Sequence, residues 1–499
     1  MWQGLLTIVV SAFGAGYLFS VPVHCRCPEK DVVMTGWLDF LDDNKRRLIF
    51  GDEQTADPAR AYDKKRAVHA GVRGEAVAPE QAQVVWLREM EQGWPQVQDA
   101  CVYINIPFCQ TKCTYCGFFR NLADPARIAD YLAALLREIA MAATSPMLGQ
   151  TRIRAVYVGG GTPGALSAAQ IGQLLTAIRR HLPLSNDCEI TFETRTHDLG
   201  ADKLLACIDH GVNRFSLGVQ SFDTRSRRAI GRIDEGPAVI ENIQRMQAFR
   251  EASVSIDLIF GLPHQGIDTY LQDIATADLL GIDGMALYQL NVFEGGRMDK
   301  AIQEGRTIRV PETAEQFRYH QAALHLLADM DYHPLSMSHW VQGTLDRSIY
   351  NRFSKNGTMI HAFGAGAGGR TERYRYFVQP SMAAYMESVA RGFKPIMGLS
   401  RKGSMTPLYD YITGEMDSGR LRFDTAWTRF HIDLKEIYAP LIESWQRRGL
   451  AGAGERTMRL LPAGQFWYVT MNQALLDILE IMHSEGAYEP PQERVAAQG

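Results

Sequence analysis

Three thiols stand at C-x3-C-x2-C in Cys109-Gln110-Thr111-Lys112-Cys113-Thr114-Tyr115-Cys116, directly after the mainly apolar run Val102 to Phe108. Thiolates at this spacing suit iron, because one short loop can wrap three corners of an iron–sulfur cubane with soft sulfur donors. Three donors leave one iron open, the mark of a centre that does chemistry rather than one that staples a fold. A structural zinc knot would need a fourth ligand close by, and no His, Asp, Glu or Cys occurs in Gly117 to Ala123. The other cysteines, Cys25, Cys27, Cys101, Cys188 and Cys207, lack the spacing of a secreted disulfide framework, so a reducing compartment is expected.

A second group of residues could hold a ligand against such a centre. In Val158-Gly159-Gly160-Gly161-Thr162-Pro163 the glycines let backbone amides approach an anionic or zwitterionic group, which makes Gly160, Gly161 and Thr162 candidates. Taken alone, the same pattern also describes a tight turn between a strand and a helix. Glu193, Gln220, Arg232 and Asp257 follow at or near the ends of later apolar runs. Asp257 is the most informative, since a carboxylate inside Val254 to Pro263 is costly to bury unless it is paired or hydrogen-bonded. Glu193 and Arg232 read equally well as a structural ion pair. Tyr288, Gln289 and His197 lie near strand ends and are candidates for handling protons.

Positioning these residues requires a repeating scaffold. Short β-branched runs recur at Val102–Ile106, Ala155–Val158, Glu189–Phe192, Arg214–Val219, Val254–Phe260 and Ala286–Leu290, separated by helical patterns such as Ile128–Ala143 and Ile171–His181. Strands alternating with helices predict right-handed βαβ units and a parallel α/β sheet, with the site at the strands' C-terminal ends. Six units are too few to close an eight-stranded barrel.

The cysteine motif resembles that of radical S-adenosylmethionine (SAM) enzymes. Tyr103-Ile104-Asn105-Ile106-Pro107-Phe108-Cys109, Tyr115-Cys116 and Arg214 to Phe222 are similar to the HemN-like branch of oxygen-independent coproporphyrinogen III oxidases and their haem-handling relatives. The resemblance implies an open (β/α)6 partial barrel over 100–335, holding a 4Fe-4S cluster on Cys109, Cys113 and Cys116 with SAM on its open iron. It further implies Gly160, Gly161 and Thr162 at the SAM amino group and Glu193 and Arg232 at the methionine end. Gln220 and Asp257 would lie at the ribose, with Tyr103 and Tyr115 beside the cluster and the adenine.

Outside the barrel the pattern is less regular. Leu5 to Val23 is uncharged and long enough to span a bilayer, but no basic residue precedes it as a signal peptide requires. Residues 1–24 therefore read as an extension or start-site artefact, with membrane contact through 5–23 as the alternative. Residues 25–99 are charged and mixed, and composition favours a solvated arm. Within them Asp57 to Gly71 resembles the N-terminal signature of the HutW/ChuW-type anaerobic haem-degrading enzymes, which makes His69 a substrate candidate. Residues 336–398 read as a connecting segment with a Gly-rich loop, His361 to Arg370. Imidazole can ligate haem iron, indole can stack on a porphyrin and guanidinium can pair a propionate, so His339, Trp340, His361 and Arg370 are haem-pocket candidates. Residues 399–483 look like a mainly helical, winged-helix-like domain with helical faces at Leu434–Trp445 and Val469–Ile478 and a hairpin around Arg456–Leu461. A polar, disordered tail, 484–499, is expected to follow.

A net charge of −4 with 22% charged residues in a 499-residue chain gives no electrostatic case for nucleic acid. Within the branch, coproporphyrinogen oxidases carry a fourth cysteine where Phe118 stands here, which argues against that decarboxylation. The resemblance points to oxygen-independent haem degradation: methylation of a haem meso carbon, opening of the ring to a linear tetrapyrrole and release of iron. The alternatives are a haem-binding chaperone or delivery protein, or another anaerobic porphyrin-modifying radical SAM enzyme such as a coproporphyrinogen III oxidase. The implied partners are haem as substrate, flavodoxin or a similar low-potential donor, and a haem carrier or tetrapyrrole reductase, with the protein cytoplasmic.

Overall fold

The computed structural model describes residues 36–65, 70–72, 74–93, 96–117, 121–306, 309–486 and 488. Six strands lie side by side and parallel: β1 (Gln98–Ile106), β2 (Thr151–Gly160), β3 (Leu184–Thr194), β4 (Arg214–Gln220), β5 (Ser253–Phe260) and β6 (Gly284–Gln289). Helices connect them, and local chemistry sets their starts. Asp124 accepts from the Arg127 amide ahead of the helix Pro125–Ala142, with Pro125 in the first turn where no amide is needed. Ser167 and Gln170 form a reciprocal capping box on the helix Ala168–His181. The helix Pro125–Ala142 buries Ile128, Tyr131, Leu132, Leu135 and Ile139, a stripe at helical spacing that packs onto the sheet. The result is a mixed α/β fold with a large parallel sheet, as the alternating runs predict.

The sheet does not stop at six strands. β7 (His339–Val341) runs antiparallel beside β6, and β8 (Met359–Phe363) runs parallel beside β1. Beyond β8 the strands Gly368–Arg370, Tyr374–Val378 and Ile396–Arg401 continue the sheet to Glu75–Ala76, while His333–Ser336 forms the other edge. Thirteen strands are joined among the described residues. The segment 336–398, which reads as a connector in sequence, therefore contributes strands on both sides of the six. Its strands are too short and too rich in Gly, Tyr and Arg to show a clear alternation of period two.

The C-terminal region holds the helices Thr406–Asp417, Phe423–Phe430, Leu434–Ile437, Ala439–Arg447 and Pro462–Ser484, with a small sheet ordered Arg420–Arg422, Thr457–Leu460, Ala451–Ala453. The helix expected over Leu434–Trp445 is split at Tyr438, because Pro440 sits in the first turn of the second piece. The hairpin expected around Arg456–Leu461 starts one strand earlier, at Ala451. The arm also differs from the solvated segment that its composition suggests. Trp37, Ile49, Phe50 and Tyr62 are buried, and Trp37 donates to the Ile437 carbonyl at 2.9 Å. Irregularly spaced apolar residues on a 3-10 turn (Gly36–Phe40) and a short helix (Asp43–Phe50) give no periodicity, and their partners lie near the other end of the chain. Among the described residues no helix is long and apolar enough to cross a membrane. Leu5 to Val23, His69, Phe118 and most of the 484–499 tail lie outside the described residues.

Candidate active site

The cluster loop leaves the C-terminal end of β1 and is fixed from several sides. Phe108–Cys109 pairs with Asn121–Leu122, which closes the loop at its base. The Thr162 amide donates to the Phe108 carbonyl at 2.7 Å, and the Thr162 hydroxyl lies 3.6 Å from the Cys109 sulfur. Thr114 N–H donates to the Ile230 carbonyl at 3.1 Å. Arg195 grips the loop with two donors, one to the Thr111 hydroxyl at 2.7 Å and one to its carbonyl at 3.1 Å. Cys109 and Cys113 are buried and Cys116 is half-buried. Burial pushes the Cys109 thiol up, opposed by Thr162 and Arg195, and Cys116 and Cys113 are close enough to add to the rise.

The glycine loop after β2 must be glycine. Gly160 has φ of +113°, and a Cβ there would sit 2.0 Å from Asn105 Oδ1. A Cβ on Gly161 would meet the Phe108 carbonyl at 2.5 Å, and one on Gly159 would meet Glu193 Oε2 at 2.6 Å. The loop therefore lies directly against the cluster loop on one side and the Glu193 carboxylate on the other. The Gly-rich turn after β8 reaches the same place, since Asn105 Nδ2 donates to the Ala365 carbonyl at 2.6 Å and Tyr131 donates to the Asn105 carbonyl at 2.6 Å. Glu138, 1% exposed, fixes that turn by accepting from Gly364 N–H, Tyr385 and Lys394.

The register gathers the predicted residues at one end of the sheet. Tyr103 pairs with Tyr157, Glu193 with Ser216, and Gly218 with Asp257, so these side chains share one face by the alternation of the strands. Burial and then the neighbouring Asp257 push Glu193 up to about 7. Burial pushes Asp257 up to about 6, opposed by His339, Arg214 and Arg232. Arg232 donates to the Tyr115 hydroxyl at 3.3 Å, yet its Nε has no partner, and neither does the buried Oε1 of Gln220. Gln220 holds a φ of +73°, which ends β4 with its side chain turned back toward Gly218. Orphaned buried polar atoms on two residues beside two carboxylates with raised pKa values are the mark of a site shaped for a ligand.

The remaining candidates fall in different places. Tyr288 is 43% exposed at the end of β6, and Gln289 donates to Gln316 while its own Oε1 has no partner. His197 stands between Asp198 at 3.3 Å and Asp234 at 3.2 Å, beneath the loop that Arg195 grips. His339 pairs with Ala286, on the same row as Asp257, and its Nε2 meets Asp346 at 2.7 Å. Trp340 pairs with Met285 and is 3% exposed, so it faces the core on the other side of β7. His361 pairs with Val102 and also faces away from Tyr103; burial, reinforced by Lys394, lowers its pKa to about 4. The structure thus brings His339 into the row of Asp257 and does not bring Trp340 or His361 there. Arg370 lies in a cavity described below.

Sequence reasoning missed Arg195, Tyr157, Tyr350 and the Arg214–Asp346 pair. Arg195 and Tyr157 stand two residues from Glu193 and Gly159, a usable signal in a strand. Tyr350 and Asp346 come from the segment after β7 and carry none. Tyr350 packs on Tyr157 with ring centroids 4.9 Å apart, and Tyr103 stacks on both. Arg214 donates to Asp346 at 2.7 and 3.3 Å. Burial pushes Asp346 up, but Arg214 and His339 outweigh it and hold the carboxyl well below its usual range.

An open barrel carrying this loop and glycine turn defines a class of enzyme. Residues 103–277 match the radical SAM superfamily. The chain is 36% identical over 429 residues to anaerobilin synthase of Escherichia coli O157:H7, covering 86% of this chain and 95% of that protein. It is 31% identical over 268 residues to heme chaperone HemW of Bacillus subtilis (strain 168), covering 54% and 70%. The structure of HemN, the coproporphyrinogen III oxidase of Escherichia coli, aligns over 83% of this chain and 96% of that one with a TM-score of 0.69 at 18% identity, which shows a shared fold. The chain belongs to the radical SAM superfamily and, within it, to the HemN-like branch close to anaerobilin synthase.

Its cofactors are therefore a 4Fe-4S cluster and SAM, and the residues present fit both. Among the described residues no three His, Cys, Asp or Glu side chains converge as they would on a single metal ion. A cubane asks for something else, since each thiolate takes a different iron. Three thiols on one clamped loop meet that demand, and the unpartnered Gln220 and Arg232 atoms beside Glu193 suit a zwitterion with a sugar.

Proposed function

We propose that this protein degrades haem without oxygen: it transfers a methyl group from SAM to a haem meso carbon, opens the ring to a linear tetrapyrrole and releases the iron. Similarity to anaerobilin synthase along 95% of that protein's length carries the reading. The absence of a fourth cysteine at Phe118 supports it. A reduced cluster with SAM bound would supply radical chemistry at this site.

The chain's own residues bind, orient and protect. Cys109, Cys113 and Cys116 hold the cluster on a loop that Arg195 and Thr162 keep in place. Glu193 accepts from the SAM ammonium next to the Gly160 and Gly161 backbone, and ionises fully once that cation is beside it. Arg232 offers its free Nε to the SAM carboxylate, and Gln220 and Asp257 accept from ribose hydroxyls. Tyr103 and Tyr115 flank the cluster and adenine. The Tyr103, Tyr157 and Tyr350 cluster keeps water from the reacting carbon. Tyr288 and Gln289, at the end of β6, are the candidates for handling protons, with His197 as a third. Haem enters from a carrier, flavodoxin or a similar protein supplies electrons, and the reaction takes place in the cytoplasm.

Anaerobic turnover tests this: reconstituted protein, dithionite, SAM and haemin, followed by visible spectra and mass spectrometry. The expected result is 5'-deoxyadenosine, loss of the Soret band and a methylated open tetrapyrrole. Similarity to HemW favours a second reading, haem delivery, in which haemin binds but stays intact and SAM is not consumed.

A further inference from the structure

A cavity of about 350 Å³ opens between the Gly-rich strands and the C-terminal helices, and Arg370 in its wall pairs with Ile360, which pairs with Cys101, so it shares the sheet face of Tyr103. Its walls carry three cations, Lys355, Arg370 and Arg375, against two acids, Asp410 and Asp417. Asp410 is taken by Arg375 at 3.6 Å. Asp417 is buried, which pushes its carboxyl up, and the nearby Lys355 opposes that rise. Arg370 has no acid at all within ion-pair distance among the described residues. Its Nε donates to the Thr358 carbonyl at 2.7 Å and one Nη to the Phe353 carbonyl at 3.0 Å, both neutral. Two of five donors are so used, and Asp410 offsets part of the charge from beyond contact distance. Burial lowers the pKa of the neighbouring Lys402 to about 8, opposed by Asp410, with Arg370 and Arg375 adding to the drop. Crowded cations in a half-buried cavity call for an anion.

The cavity is joined to the active site by tyrosines. Arg370 lies close enough to Tyr350 for their charges to interact, and Tyr350 packs at 4.9 Å on Tyr157, which hydrogen-bonds Glu193. On the other side Tyr468 lines the cavity and lies near Tyr288, which in turn feels Asp257. A flat, apolar molecule with acidic groups at one edge matches this arrangement: rings for the tyrosine walls, carboxylates for the cationic end.

We propose that Lys355, Arg370 and Arg375 form a carboxylate-binding subsite that receives the propionates of the tetrapyrrole and so directs the opposite edge of the macrocycle toward the cluster. The subsite rests on the haem reading above. Arg370 is its anchor, because a guanidinium can bind a carboxylate with two parallel hydrogen bonds.

The test pairs a change in the ligand with a change in the protein. Haemin and haemin dimethyl ester, whose propionates are neutral, are titrated by absorbance into the full chain as wild type, Arg370→Met and Arg370→Lys. The subsite predicts that wild type prefers haemin over the ester by roughly tenfold or more, the effect of charge-assisted hydrogen bonds. Arg370→Met should lose that preference while holding the ester as wild type does, and Arg370→Lys should recover part of it. Equal affinity of wild type for both ligands overturns the subsite and leaves the haem reading standing. So does an equal loss for both ligands in Arg370→Met, which would mean damage to the fold around Thr358 and Phe353. Failure of wild type to bind either ligand overturns the haem reading and the subsite together.

Discussion

Glu193 and Asp257 are acids held in a place that disfavours their charge until a cation arrives. Glu193 has a carboxyl raised from 4.5 to about 7, first by burial and then by Asp257. The folded protein therefore keeps a proton that the unfolded chain releases between about pH 4.5 and 7. Stability contributed by that proton is lost as pH rises through this window. In cluster-free protein Glu193→Gln should raise the melting temperature at pH 8, equivalent to about 1–2 kcal/mol. The gain should shrink at pH 5.5, where the wild-type acid is already neutral. The same variant should bind SAM more weakly, since an amide offers no charge to the ammonium. Calorimetry at the two pH values checks the first part, and a gain independent of pH would show that the carboxylate is not strained. The three-cysteine loop and the glycine turn could be picked out in the sequence because each is a local motif of fixed spacing, and the structure lays one directly against the other. Arg195 was not, because it acts through Thr111, 84 residues away.

At the scale of elements, the segment after β7 is a strap that closes the bottom of the barrel. Asp346 binds Arg214 on β4 and His339 on β7, and accepts from Ser348 N–H at 3.1 Å. Glu189 on β3 accepts from Ile349 N–H at 2.8 Å. Gly284 completes the fit, since a Cβ there would lie 2.1 Å from Asp346 Oδ2. Two strands and the strap thus meet on one carboxylate that is 2% exposed. Removing it leaves the Arg214 guanidinium buried and unpaired, so Asp346→Ala should cost about 3–5 kcal/mol by chemical denaturation. The Asp346 carboxyl lies well below its ordinary value of 3.8. Its contribution is therefore fully present above that value and lost only as pH falls through the folded one, so the penalty should be constant from pH 5 to 8. A loss below about 1 kcal/mol would mean that the strap is held by Tyr350 and Ile349 instead. No sequence pattern marks this device: strand alternation shows that Arg214 and His339 point inward, but the acid that joins them sits in a loop.

At the scale of the whole molecule, the two ends of the described chain fold on each other. Tyr62 accepts from Trp445 Nε1 at 2.9 Å and packs against Trp467 at 5.4 Å between ring centroids. Trp467 donates to the Pro58 carbonyl at 2.8 Å, and Arg448 donates to the Ala61 and Asp52 carbonyls. The arm is thus a missing layer of the C-terminal helices, and it delivers Gly71 to Gln473 at 2.9 Å, at the rim of the cavity that holds Arg370. This explains why the barrel could be read from alternating runs while the arm could not: the barrel's partners are neighbours in sequence, and the arm's are not. Tyr62→Phe removes one oxygen and leaves the fully buried Trp445 N–H without an acceptor, which should cost about 1–3 kcal/mol. Tyr62→Ala also opens a cavity against Trp467 and should cost about 3–5 kcal/mol. If arm and C-terminal helices open as one unit, hydrogen exchange in Tyr62→Ala should accelerate together at 43–50, 439–447 and 462–484 while β1 to β6 stay protected. Acceleration confined to 43–62 would show instead that the arm peels off alone, and that the helices stand without it.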